Sequence, residues 1–297
     1  MNHVYNNQAQ HLKRLQAYIG KMPSLSTTVI KVLETCNDPK ASATDLKRVV
    51  SLDPVLTGQV LKLINSAYYS LAIPITSLAR AIIMLGVNTV KNLALSFAIL
   101  KNMSSNGSSH AFTTDEFWTH SLSVGVVAKS LAAILGFPPA QREEFFVAGL
   151  LHDLGKLPLN KHFPDEYLRV REMTKRDQVA LHNSEGRLLG FDHCVVGSMI
   201  AQKWNLGMAL VESLTHHHRL YEISENNRKF VFVVSLANQF AIQLNIGTAG
   251  DLYPDLETIS YLSEKVGVDQ ATLNDIRETV LGEIEKAKIF LEIARKG

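Results

Sequence analysis

Residues 46–67 read LKRVVSLDPVLTGQVLKLINSA. Leu46, Val49 and Val50, then Leu56, Val60, Leu63 and Ile64, recur at intervals of three and four, which lines one face of an α-helix. Asp53-Pro54 falls between the two groups. Aspartate caps a helix start, and proline suits the first turn, where its missing N–H costs nothing. The spacing therefore predicts two helices that meet at residue 53.

The same period extends outward in both directions. VIKVLETC (29–36), LARAIIMLG (78–86) and VKNLALSFAIL (90–100) all space apolar residues by three and four. Ser42-Ala-Thr-Asp45 has the form of a capping box, and Gly86 suits a helix end. No two-residue alternation is sustained. No Asn-Gly or Asp-Gly turn joins two strand-like runs, and Asn106-Gly107 sits in a polar loop. The expected fold is all-α.

The chain of 297 residues is 46% apolar and 20% charged, the composition of a globular protein with a large core. A net charge of +2, with no dense Lys/Arg run interleaved with aromatics, gives no reason to expect direct nucleic-acid binding. Two distant cysteines, Cys36 and Cys194, make no disulfide framework and fit a reducing compartment. The polar N-terminus, MNHVYNNQAQHLKRL, is unlike a signal segment, and no apolar run reaches spanning length. A cytoplasmic protein with no membrane contact is expected.

NMSSNGSSHAFTT (102–114) has loop composition and marks the clearest boundary; NIGTAGDLYPDL (245–256) marks a softer one. The expected division is an N-terminal helical subdomain (1–107), a helical subdomain carrying the chemistry (108–250) and a C-terminal helical extension (251–297) of two amphipathic helices.

Histidines concentrate beyond the first boundary. GLLHDLGKL (149–157) ends an apolar run in an imidazole, a carboxylate and an ammonium. Burying such groups without partners costs several kcal/mol, on the order expected for unpaired charge. Glu116 and His120 are four apart and share a helix face. His193 heads another amphipathic segment, His216, His217 and His218 are consecutive, and Asn238 interrupts an apolar helix. Helical bundles build metal sites from such inward-facing residues on separate helices. Imidazole and carboxylate suit Fe, Mn, Zn, Ni or Cu. Asp153 has two oxygens and could bridge two ions, and Lys156 could neutralise a phosphate oxygen.

Taken singly, each residue has a plainer account. Glu116 could complete a capping box with Thr113. His120 could be a hydrogen-bonded helix histidine, and His193 part of a cap after Asp192. The histidine triplet could be a solvated helix end. Asn238 could be a satisfied core amide. Other catalytic motifs fail: five residues separate Gly149 from Gly155, whereas a P-loop needs four, and neither HExxH nor GxSxG is present.

HDLGK (152–156), with a histidine some thirty residues earlier and others later, resembles the HD superfamily of metal-dependent phosphohydrolases. Residues 22–100, with MPSLS, DPVLTGQVLKLINSAYY and SLARAIIMLG, resemble the HDOD family, the HD-related output domain of bacterial signalling proteins. The resemblance runs from about residue 14 to about 245. It implies an all-helical regulatory domain whose partners are signalling proteins. Compared with catalytic HD-GYP relatives, it implies Glu116, His120, His152, Asp153, His193, His217, His218 and Asn238 as metal ligands, with Lys156 and Asp153 as the catalytic pair. One or two transition-metal ions per chain are implied, Fe or Mn before Zn or Ni. Asn238 stands where those relatives carry aspartate, and no GYP signature follows the histidines. The reading that results is a regulatory domain with a retained metal site, acting by binding rather than turnover. The alternatives are a metal-dependent phosphohydrolase acting on a nucleotide or cyclic dinucleotide, with a nucleotide or phosphate as ligand, and a metal-free scaffold.

Overall fold

The computed structural model describes residues 2–38, 40–103 and 111–296, so part of the Ser/Asn-rich boundary, 104–110, lies outside the described residues. Every regular element among the described residues is helical. The first helix, α1 (Asn2–Lys21), packs on the later helices Leu181–Leu189 and His193–Lys203, and an N-terminal layer comprises α2 (Thr27–Asn37), α3 (Ala43–Val50), α4 (Pro54–Ile64), α5 (Leu78–Leu85) and α6 (Val87–Met103). The central pair is α7 (Thr114–Ile134) and α8 (Pro139–Leu151). Shorter helices follow: α9 (Lys156–His162), α10 (Pro164–Asp177), α11 (Leu181–Leu189), α12 (His193–Lys203) and α13 (Met208–His216). The chain ends with α14 (Arg228–Leu244), α15 (Leu256–Val266) and the long α16 (Gln270–Lys296).

Local signals set the boundaries in the N-terminal layer. Ser42 and Asp45 form the reciprocal capping box, with Ser42 N donating to Asp45 Oδ2 at 3.0 Å and Asp45 N to Ser42 Oγ at 3.3 Å. Asp53 accepts from Leu56 N at 2.9 Å, and Pro54 opens α4. Gly86 ends α5 at φ 86°, a conformation that costs glycine least. The apolar faces of residues 46–67 point inward: Leu46, Val50, Val60, Leu63 and Ile64 are fully buried.

The central pair is unusually close. A methyl group at Gly149 would lie 2.7 Å from the Gly125 Cα, and one at Gly125 would lie 2.7 Å from the Phe146 carbonyl oxygen. The two glycines thus let the α7 and α8 backbones touch, and α14 packs against both. The C-terminal helix α16 packs on α4, α6 and α7. Its Phe290 stacks on Phe97 at 4.7 Å and meets Phe146 edge-on at 5.7 Å. The extension is therefore an integral wall of the core. No single helix among the described residues is long and apolar enough to cross a membrane.

Candidate metal centre

Five histidines and one aspartate meet beneath the central pair. His120 projects from α7. The apolar end of α8 delivers His152 and Asp153 into a tight turn, and Lys156 begins α9. His193 is the first residue of α12, capped by Asp192, whose carboxylate accepts from Val195 N at 3.1 Å. Arg219 donates to the same Asp192, which ties the chain following α13 to the start of α12 and sets His217 and His218 beside His193.

Asp153 lies at the centre, fully buried, with its two oxygens facing different groups. Oδ2 is 3.2 Å from His152 Nε2 and 3.8 Å from His120 Nε2. Oδ1 is 3.2 Å from His193 Nε2 and 3.5 Å from His217 Nε2. Two ligand-atom clusters result, His120–His152–Asp153 and Asp153–His193–His217–His218, with the carboxylate common to both.

The outer nitrogens of the rings are held from behind. Acceptors lie against the Nδ1 atoms of three rings: the Gly149 carbonyl at 2.7 Å from His152, the Ser213 carbonyl at 2.9 Å from His217, and Glu185 Oε2 at 2.7 Å from His193. Each acceptor requires the proton on Nδ1 and leaves a lone pair on Nε2, which is how ligating histidines are oriented. The inner atoms are then short of donors. His152 Nε2, His218 Nε2 and Asp153 Oδ1 are buried with no hydrogen-bond partner. His193 Nε2 faces His217 Nε2 at 3.3 Å, so in the neutral, metal-binding form the two lone pairs point at one another. With the histidines neutral, as metal binding requires, Asp153, Glu185 and Asp251 against the ammonium of Lys156 give these buried groups a formal charge of −2. Orphaned nitrogen lone pairs, a bridging carboxylate and that charge fit a divalent transition metal.

Burial pushes His120 down to about 4 and lowers His152 and His218 as well, which keeps these rings neutral, the form that binds metal. Burial acts downward on His193 and His217 too but is outweighed: the Glu185 carboxylate and Cys194 raise His193, and Cys194 and Asp153 raise His217 to about 9, so these two rings release a proton when they bind a metal. Burial would raise Asp251, but the Lys156 ammonium holds it down at about 2.

Several sequence expectations need correction or refinement. Glu116 stands apart from the site. Its carboxylate accepts from Thr113 N at 2.8 Å while Thr113 Oγ1 accepts from Glu116 N at 3.0 Å, an exposed capping box at the start of α7. Position N3 of a helix turns its carboxylate back to the helix start, away from the face that carries His120. Glu116→Ala is therefore expected to leave metal content unchanged and to cost at most about 1 kcal/mol in thermal unfolding. Asn238 is buried beside the site, with Oδ1 3.1 Å from His120 Nε2. Lys156 is buried between Asp153 Oδ2 at 2.7 Å and Asp251 Oδ2 at 2.6 Å, so its ammonium already has two anionic partners. Of the triplet, His217 and His218 face the centre, while His216 lies outside it, 3.7 Å from Glu222.

Sequence reading missed Glu185, Asp251 and His182. His182 stacks on His218 at 4.2 Å. Glu185 also accepts from Tyr167 Oη and from His193 N, which makes it a hub behind the ligands. None of these residues lies in a spaced motif; folding alone brings them in. A cavity of about 520 Å³ opens over His217 and His218, with His182, Ser235, Asp251, Asp255 and Glu257 on its walls and no Lys or Arg among the described residues lining it.

The chain's residues 22–220 match the model of the HDOD domain. A curated relative, an uncharacterised protein of Treponema pallidum (strain Nichols), is 24% identical over 223 residues, which cover 74% of this chain and 42% of that one. The chain thus spans less than half the length of that relative. Among solved structures, an HDOD domain protein of unknown function from Geobacter sulfurreducens superposes with TM-score 0.74 at 22% identity, covering 97% of this chain and 99% of the other. A Shewanella amazonensis SB2B protein, named as a candidate metal-dependent phosphohydrolase, gives 0.67 at 19% identity over 98% and 99% of the two chains. A Marinobacter aquaeolei VT8 protein, named as a candidate signal transduction protein, gives 0.75 at 19% identity over 97% and 66%. At these identities the structural likeness establishes the fold.

Proposed function

The chain belongs to the HDOD family, and on that premise we propose that it is a regulatory module that holds a divalent transition metal and acts by binding rather than turnover. The observation that carries this reading is Lys156. A phosphohydrolase of this plan needs a cation free to meet a phosphoryl oxygen, and here the ammonium is fully buried and paired with Asp153 and Asp251. The cavity wall reinforces it, because Asp251 on that wall already takes the Lys156 ammonium and no Lys or Arg among the described residues lining the cavity is left to hold a nucleotide polyanion.

The strongest ligand set is Asp153, His193, His217 and His218. The other group is weaker because His120 and Asn238 satisfy one another. Imidazole and carboxylate donors accept Fe, Mn, Zn or Ni, and the resemblance to the HD superfamily puts Fe or Mn first. A bound ion would supply Lewis acidity to a water or phosphoryl oxygen. The residues around it do the rest: Glu185 orients His193, the Ser213 carbonyl orients His217, and the cavity leaves the His217–His218 side open to a ligand. For the partner surface we assign the N-terminal layer to a signalling protein, because α4 and α5 and the segments beside them expose Leu52, Val55, Ile73, Ile83 and Met84.

The test is elemental analysis of the purified chain together with hydrolysis assays on bis-p-nitrophenyl phosphate and cyclic dinucleotides, with Mn²⁺ or Fe²⁺ supplied. About one equivalent of bound metal and no metal-dependent hydrolysis are expected. Turnover that disappears in Asp153→Ala would instead establish the phosphohydrolase. Asn238→Asp adds a carboxylate next to His120, so it is expected to raise metal content from about one towards two equivalents.

A further inference from the structure

We propose that Asp251 is a built-in occupant of an anion site, its carboxylate filling the place that a phosphate or phosphomonoester would take beside the metal centre. The inference rests on the metal-binding reading, since a cation held through Asp153 leaves Lys156 in need of another anion.

Each Asp251 oxygen meets a donor suited to phosphate. Oδ2 accepts from Lys156 Nζ at 2.6 Å, and Oδ1 accepts from the backbone N–H of Leu181, the first residue of α11, at 3.0 Å. A buried ammonium together with a helix-terminal N–H is an anion-binding arrangement. Asp251 reaches it from far along the chain, 95 residues from Lys156 and 70 from Leu181. The connecting segment between α14 and α15 is shaped for that delivery. Gly247, at φ 64°, passes so close to α7 that a methyl group there would lie 2.6 Å from His120 N. Gly250, at φ 98°, would place one 2.9 Å from Leu181 Cδ2.

The space in front of the carboxylate is that of a ligand site. The cavity of about 520 Å³ falls in the range of small-molecule pockets and has Asp251, His217 and His218 on its walls. Ser235 lines the same cavity, a residue 2% exposed whose hydroxyl has no partner. That hydroxyl is a donor in waiting. An internal competitor lowers the apparent affinity of any external anion by the fraction of time the site is free.

The experiment compares the full-length wild-type chain, Asp251→Ala and Asp251→Asn, with metal content measured in each sample and inorganic phosphate as the probe in calorimetry and thermal-shift titrations. Removing the carboxylate is expected to tighten phosphate binding roughly tenfold or more over wild type, and adding Lys156→Met is expected to abolish that gain. Asp251→Asn keeps the shape of the side chain and serves where Asp251→Ala folds poorly. No gain in either variant overturns the proposal. Metal missing from the wild-type chain overturns the metal-binding reading alone, and the phosphate comparison still decides the role of Asp251.

Discussion

Asp153→Ala is expected to bring bound transition metal from about one equivalent to near zero, the largest single effect available at the site. The carboxylate serves both ligand groups, through Oδ2 towards His120 and His152 and through Oδ1 towards His193 and His217, so its loss cannot be absorbed by either. Stability falls as well. Removing one partner of a buried ion pair costs roughly 3–5 kcal/mol, and the lower end applies because Lys156 keeps Asp251. A decrease of about 5 °C in Tm follows for a chain of this size. Asp153→Asn separates the two contributions: it keeps the volume, removes the charge and should lose metal with a smaller packing defect. Elemental analysis and differential scanning calorimetry are the measurements, and metal content that survives both substitutions would remove the bridging role assigned to Asp153.

The second large effect concerns a residue with no chemistry of its own. Gly155 has φ −63°, an ordinary helical value, so its conformation does not require glycine. Its surroundings do. A methyl group there would lie 2.0 Å from the His193 carbonyl oxygen and 2.7 Å from Gly197 N, both backbone atoms of α12. Gly155→Ala must therefore push α12 away and carry His193 out of reach of Asp153. The expected loss is about 3 kcal/mol, at the upper end for overpacking, together with most of the bound metal. Gly186→Ala is the matched control. Gly186 lies in α11 with nothing within 4 Å of the added methyl, so the substitution should be neutral or slightly stabilising. A Gly155→Ala protein that keeps its metal and its Tm would show that α12 is free to yield.

Much of this protein is legible from local chemistry. The three-and-four spacing of residues 46–67 gives α3 and α4, and the Ser42–Asp45 box and Asp53-Pro54 start them where they do in the fold. These features depend only on neighbours in the chain, and tertiary packing had no reason to override them. The buried pair His152–Asp153 was legible for a related reason. An apolar run that ends in a charge signals burial, and a buried charge needs a partner.

What lay outside the sequence was the identity of the partners. Glu116 and His120 share a helix face by spacing, yet one caps α7 in solvent while the other is buried, because the helix start claims the N3 carboxylate first. Glu185 and Asp251 sit in no motif, and the fold brings them to His193 and Lys156 from 8 and 95 residues away. Gly155 reads in sequence as a turn residue, but the requirement for glycine comes from α12 lying against it. Periodicity and capping are local and so are written in the chain. Which charge meets which, and how near two backbones approach, depends on helices distant in sequence, and only their packing decides it.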